Sequence, residues 1–175
     1  MPTILTHAVI PIAAGFALSP ARITRRVVIA GIALAMLPDA DVAEFKLGIE
    51  YADQFGHRGA SHAILVAAAT AAFITAIMRP ARTKLVFAFL FISMASHGVL
   101  DAFTNGGLGP ALLWPISDVR YFAPFTPVRV SPIGMGFFSM RGAGVMLSEM
   151  RWIWLPAAVL AIMLRLTISK TKVNL

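Results

Sequence analysis

Cysteine is absent from all 175 residues. Disulfides, thiolate metal ligands and a cysteine nucleophile are therefore excluded. Charge is scarce as well. Only 13% of the residues are Asp, Glu, Lys or Arg, while 58% are hydrophobic; soluble domains carry roughly 25% charged residues. A chain with so little charge cannot cover itself against water, and its environment is a bilayer. No Lys or Arg precedes the first apolar run, so the basic start of a secretory signal is missing. No internal repeat and no low-complexity tract stands out.

Acidic residues number eight against fifteen Lys and Arg, a net charge of +7. The distribution matters more than the sum. Arg22, Arg25 and Arg26 form one basic cluster, Arg79, Arg82 and Lys84 a second, and Lys170 and Lys172 a third. None of these stretches contains Asp or Glu, which is the pattern of cytoplasmic loops. The basic excess thus orients the chain in a membrane, and no nucleic-acid partner is expected.

Between these clusters lie the apolar runs. Thr3 to Leu18, with Pro11 inside it, reads as a membrane helix. Val27 to Leu37 is a second run, whose helix could start near Ile23 and leaves the helical path near Pro38. Ser61 to Met78 is the clearest spanning helix, with Ser61 as its N-cap. Leu85 to Leu100 and Trp152 to Ile168 complete the set. Val42 to Gly59 is polar and mixed. Asp101 to Met150 holds five prolines, Gly106-Gly107 and several aromatics, and is expected to be a non-helical cap at headgroup level. The expected architecture is all-α: a polytopic membrane helical bundle of about five membrane segments under an aromatic, proline-rich cap. Residues 1–175 form a single membrane-embedded domain, with the N-terminus outside and the C-terminus cytoplasmic.

This topology places the rare polar residues. At about 1.5 Å of rise per helical residue, His7, Asp39 and His97 each lie about 20 Å from their basic edge. Asp101 and His62 come out near 25 Å, and His57 precedes His62 by five residues. The charge rule that set the topology did not require this agreement. Alone, each group has an ordinary explanation: an interhelical hydrogen bond for His7, a turn for Pro38-Asp39-Ala40-Asp41, a solvated loop and helix cap for His57 to His62. Together they form one candidate site. His97 and Asp101, four apart on one helix face, are costly in lipid without a task. Imidazole and carboxylate suit a divalent metal, zinc first with manganese or iron as alternatives, in one or two ions. The candidate ligands are His7, Asp39, Asp41, His57, His62, His97 and Asp101. Asp39 and His62 are candidates for catalytic acid–base work, and Arg58 and Arg120 for gripping a substrate phosphate.

Thr6-His7, Leu37-Pro38-Asp39-Ala40-Asp41, His57-Arg58-Gly59-x-x-His62 and Ser96-His97-x-x-x-Asp101-x-x-Thr104-Asn105-Gly106-Gly107 resemble the LexA-regulated, inner-membrane-bound metal-dependent hydrolases of the YdjM-like family. Leu113-Trp114-Pro115-Ile116-Ser117, followed by Arg120-Tyr121, looks like the same family. The resemblance covers most of the chain, with the motifs in family order. It implies a bacterial inner-membrane protein of the SOS response that hydrolyses a phosphoester or lipid-linked substrate. The order of His7, an Asp near 40, His57 and His97-x-x-x-Asp101 is also similar to part of the zinc-dependent phospholipase C and S1/P1 nuclease pattern. That likeness implies one metal on Asp41 or Asp39, His57, His97 and Asp101, and a second on His7 sharing Asp101. The chain departs from the pattern after Asp101, because His97 is the last histidine and the ligands of a full three-zinc site are not all present; His62 could fill part of the gap. Two other classes stay open on the residues alone: a metal- or proton-handling transporter, and a metal-stabilised structural or regulatory membrane protein.

Overall fold

A computed structural model describes residues 1–132 and 134–173, with side chains at all of these except 134, 135 and 170–173. The third basic cluster and the end of the expected 1–175 domain therefore lie partly outside the described residues. Among the described residues five α-helices form: α1 (Ile4–Leu18), α2 (Arg25–Met36), α3 (Ile64–Met78), α4 (Thr83–Ala102) and α5, whose apolar stretch is Met140–Ser169. Among the described residues there is no strand, only an isolated parallel bridge between Thr104 and Val128. The all-α expectation holds in that form.

Two of the five, α4 and the Met140–Ser169 stretch, are long and apolar enough to cross a membrane. Burial tells what surrounds α5. Only 11% of its apolar window is buried inside the protein, and Leu155, Val159, Leu160, Met163 and Leu166 are each more than half exposed. A surface of that kind is stable against lipid and not against water. Helices α1, α2 and α3 have 15, 12 and 15 residues. At about 1.5 Å per residue they reach only ~18–22 Å, short of a ~30 Å hydrocarbon core. Their shortness has a purpose: α1 is interrupted beside His7, while α2 and α3 adjoin the segments that carry the other polar groups.

Helix α4 is the central post. It packs against α2, α3 and the inner side of α1, while α5 lies along the other side of α1. The shared core comprises Ile23, Val27, Leu34, Ala67, Ala71, Val86, Phe89, Leu90 and Met94. Proline positions mark the breaks. Pro11 has no N–H for the carbonyl of His7, and α1 is interrupted by a turn at Ala8, just beyond that histidine. Pro38 opens a 3-10 helix, Leu37–Leu47, which ends on Gly48 at φ 75°. Pro156 lacks the N–H for the carbonyl of Trp152, and α5 carries a π turn over Met150–Trp154 there.

Two expectations are corrected. The last helix does not begin at Trp152. It begins at Met140, where the Ser139 hydroxyl accepts from the Gly142 N–H, so the non-helical cap between Asp101 and Met150 is shorter at both ends. Ser61 is not the N-cap of α3. That helix starts at Ile64, and Ser61 sits in a 3-10 turn, Ala60–His62, with its hydroxyl on Asp41, 2.7 Å away. The cap is stitched to the helix ends by backbone bonds: Ala111 N to Arg58 O, Ile64 N to Leu112 O, Ala123 N to Ala102 O and Asn105 N to Val128 O.

Candidate metal centre

Three elements bring four side chains to one point. The 3-10 helix supplies Asp39, the turn before α3 supplies His62, and the last turns of α4 supply His97 and Asp101. One ligand atom from each lies within 4.8 Å of every other. His97 Nε2 is 3.3 Å from Asp39 Oδ1 and 4.0 Å from Asp101 Oδ2. His62 Nε2 is 3.4 Å from Asp101 Oδ2 and 4.0 Å from Asp39 Oδ1. Ligands about 2.0–2.1 Å from a tetrahedral zinc stand ~3.3–3.4 Å apart. The four separations are close to that, with the longer ones slightly wide.

The donor atoms of three of the four residues also lack other employment. His62 Nε2, His97 Nε2 and both oxygens of Asp39 are buried and make no hydrogen bond. Buried polar groups are nearly always satisfied, and leaving one unpaired costs about 1–3 kcal/mol. A cation among these atoms would satisfy them together, and the residues fit a divalent metal on that ground.

The outward nitrogens are held. His97 Nδ1 bonds the Ala35 carbonyl at 2.7 Å. His62 Nδ1 lies 2.9 Å from Ser61 Oγ and 3.3 Å from Asp41 Oδ2. This is how metal-binding imidazoles are oriented, with the second ring nitrogen on a carbonyl or carboxylate. Gly98 makes the approach possible, since a Cβ there would stand 2.7 Å from the His62 carbonyl oxygen.

The remaining sequence candidates are placed as follows. His7 stacks on His97 with ring centroids 3.6 Å apart. Its Nε2 lies 3.7 Å from Asp101 Oδ1 and 3.9 Å from Asp39 Oδ2. These are the carboxylate oxygens turned away from the first group, and both His7 nitrogens are buried without partners. His57 and Asp41 are not brought into the four-residue group. They pair with each other, Nδ1 to Oδ1 at 2.5 Å, and Asp41 stands behind His62. The reason is the 3-10 step. At 120° per residue, positions two apart point 240° apart, so Asp39 faces the cluster and Asp41 faces the 57–62 loop.

Arg58 is fully buried, at φ 64°. Its Nε lies 3.0 Å from Asp101 Oδ2, and its other nitrogens donate to Thr104 Oγ1, Leu108 O and Gly106 O. The guanidinium is aimed at the protein and positions Asp101. Arg120 donates to the carbonyls of His57 and Asp53 at 3.1 and 2.7 Å and so clamps the loop that carries His57, Arg58 and His62.

Electrostatics favour positive charge at this point. Burial works against the Asp41 carboxylate, but hydrogen bonds from His57, His62 and Ser61 outweigh it and hold Asp41 well below the usual carboxylate range. Burial also opposes a charged His62, yet the Asp101 and Asp41 carboxylates raise it to about 9.

Sequence reasoning missed Glu149. It is completely buried and accepts from the Thr3 N–H, the Thr3 hydroxyl and the Thr6 hydroxyl at 2.5–2.6 Å. Trp154 Nε1 donates to Thr6 Oγ1 at 2.7 Å. This network ties α5 to the residues just before His7. Its one signal was a lone carboxylate bordering an apolar helix, hidden because that helix was expected to start later.

Fold and site define a helical membrane protein with a buried imidazole–carboxylate cluster that can hold a metal ion. The chain belongs to the YdjM inner membrane protein family, whose family model matches residues 1–173. It is 42% identical over 168 residues to "Inner membrane protein YbcI" of Escherichia coli (strain K12), a match covering 94% of this chain and 97% of that relative. No solved structure matches the chain.

Proposed function

We propose that this protein is a membrane-embedded, metal-dependent hydrolase acting on a phosphoester, with a lipid or lipid-linked substrate. The observation that carries this is the four-residue group of His62, His97, Asp39 and Asp101, with His62, His97 and Asp39 donors partnerless, beside a third histidine, His7, whose nitrogens are also unpartnered. Zinc is the first choice of metal, with manganese or iron as alternatives, because the set is two imidazoles and two carboxylates. A metal so held supplies a water of lowered pKa and charge stabilisation for a phosphoester displacement.

The chain's own residues have distinct tasks in this proposal. Asp39 Oδ1, Asp101 Oδ2, His62 Nε2 and His97 Nε2 would hold one ion. Asp39 Oδ2, Asp101 Oδ1 and His7 Nε2 form the adjoining position, either for a second ion or with His7 as the group that takes a proton. Asp41 and the Ala35 carbonyl keep the two imidazoles presenting Nε2. Arg58 and Arg120 hold Asp101 and the 51–58 loop in place, respectively. The buried cluster excludes bulk water, which strengthens each of these interactions.

An outside-facing site agrees with the charge. Arg22, Arg25, Arg26 and Arg82 line one cavity, so the first two basic turns share an end. Five membrane-entering segments, an outside N-terminus and a cytoplasmic C-terminus follow from placing that end inside. Among the described residues no Asp, Glu or His lies between the cluster and those turns, a gap that disfavours a transport path. The family resemblance adds LexA-controlled expression, checked by transcript level before and after DNA damage.

Metal analysis of purified full-length protein tests the site. Wild type should carry about one or two equivalents, and the His97→Ala, Asp101→Ala double variant almost none. Hydrolysis of a generic phosphodiester by wild type, lost in that variant, tests the enzyme. Stoichiometric metal without hydrolysis of any phosphoester would replace the enzyme reading with a metal-holding one.

A further inference from the structure

A cleft of about 490 Å³ adjoins the cluster, within the ~300–1,000 Å³ range of small-molecule sites. Ile4, Leu5, Val42, Phe45 and Phe137 line it, and Asp39 is a buried member of the lining. The other polar side chains in the lining are already engaged: the Thr3 hydroxyl donates to Glu149 and the Ser131 hydroxyl to the Pro132 carbonyl. Among the lining side chains, Asp39 is the one with buried, unpaired polar atoms. Apart from Asp39 and the Met1 α-amino group, which also lines the cleft, such walls suit hydrocarbon.

The cleft is also preformed. Its N-terminal wall is anchored by the Thr3 N–H on Glu149 and by the Ser131 N–H on the Met1 carbonyl. Ile4, Leu5, Val42 and Phe45 are 39–54% exposed. The lips of the cleft are therefore apolar and exposed, and a candidate metal ligand, Asp39, is buried in its wall.

We infer that this cleft is a chain-binding subsite. It takes the hydrocarbon tail of a membrane amphiphile whose phosphorylated head reaches the cluster, and Leu5, Val42 and Phe45 set the preference for that tail. The headgroup half of this statement rests on the phosphoester reading above; the tail half rests on the cleft. Each methylene buried there should tighten binding ~4-fold.

The test uses the full chain in phosphatidylcholine nanodiscs, loaded with Co²⁺, whose visible absorption reports a ligand arriving at the metal. The probes are methylphosphonate and dodecylphosphonate. Dodecylphosphonate should perturb the spectrum at a concentration at least 100-fold lower. Partition into the bilayer contributes to that ratio, so the decisive comparison is with Val42→Trp and, separately, Leu5→Trp, two half-exposed positions where a larger side chain narrows the cleft. Each variant should bind cobalt as wild type does and lose at least tenfold of the long-chain advantage. An advantage unchanged in both variants overturns the chain subsite and leaves the phosphoester reading standing. No cobalt uptake, or no response to either phosphonate, overturns both.

Discussion

Asp41→Asn separates a carboxylate that orients a metal ligand from one that is a ligand. Asp41 Oδ1 takes the His57 Nδ1 contact, and Oδ2 accepts from Arg58 N at 3.1 Å and Ser61 Oγ at 2.7 Å and faces His62 Nδ1 at 3.3 Å. Asparagine keeps the shape, removes the charge and turns one acceptor into a donor among donors. Loss of an outer partner of this kind lowers metal affinity about 10–100-fold, or ~1.4–2.7 kcal/mol. Asp39→Asn removes the charge and one of the two oxygens of a direct ligand, and stoichiometric metal should be lost. The measurement is competition for zinc against a chromophoric chelator, with full-length protein in nanodiscs, on wild type and both variants. If Asp41→Asn strips the metal as completely as Asp39→Asn, Asp41 is itself a ligand and the division of labour along the 3-10 helix is wrong. If its affinity stays within twofold of wild type, the carboxylate does not orient His62.

Gly98→Ala puts a methyl against the His62 carbonyl oxygen and Leu112; overpacking of this kind costs ~1–3 kcal/mol, and both thermal stability and metal content should fall. Arg58→Lys keeps the charge but loses the fork that reaches Thr104, Leu108 and Gly106, so about 1.5–3 kcal/mol should be lost, read as a drop in Tm. Glu149→Leu leaves three buried donors of Thr3 and Thr6 unpaired and should destabilise by ~3 kcal/mol or more, with Glu149→Gln milder, measured by thermal unfolding. A reporter fused in the 79–84 turn should be active only in its cytoplasmic form; activity of a periplasm-dependent reporter there would refute the orientation.

Much of the site is legible in the sequence, because lipid makes polar residues conspicuous. His7, Asp39, His62, His97 and Asp101 could be singled out as expensive, and counting rise from basic turns put them at one level. The helices were legible for the same reason, apart from the start of α3, where Ser61 belongs to a 3-10 turn, and the start of α5, where Glu149 and Arg151 interrupt the apolar pattern that marks a membrane span.

Sequence by itself determined the environment, the end at which the basic turns gather, and the inventory of metal-binding groups. These depend on composition and on a one-dimensional rise per residue. Tertiary structure alone decided which groups meet. Asp39 and Asp41 are equivalent on paper, and a 3-10 turn of 120° per residue sends one to the cluster and the other behind His62. Arg58 looks like an anion-binding residue until its left-handed backbone aims it at Asp101 and three protein oxygens. Glu149 and Thr3 are 146 residues apart, and no local pattern links them. Direction and long-range partnership come from dihedral angles and packing, and neither is written in spacing.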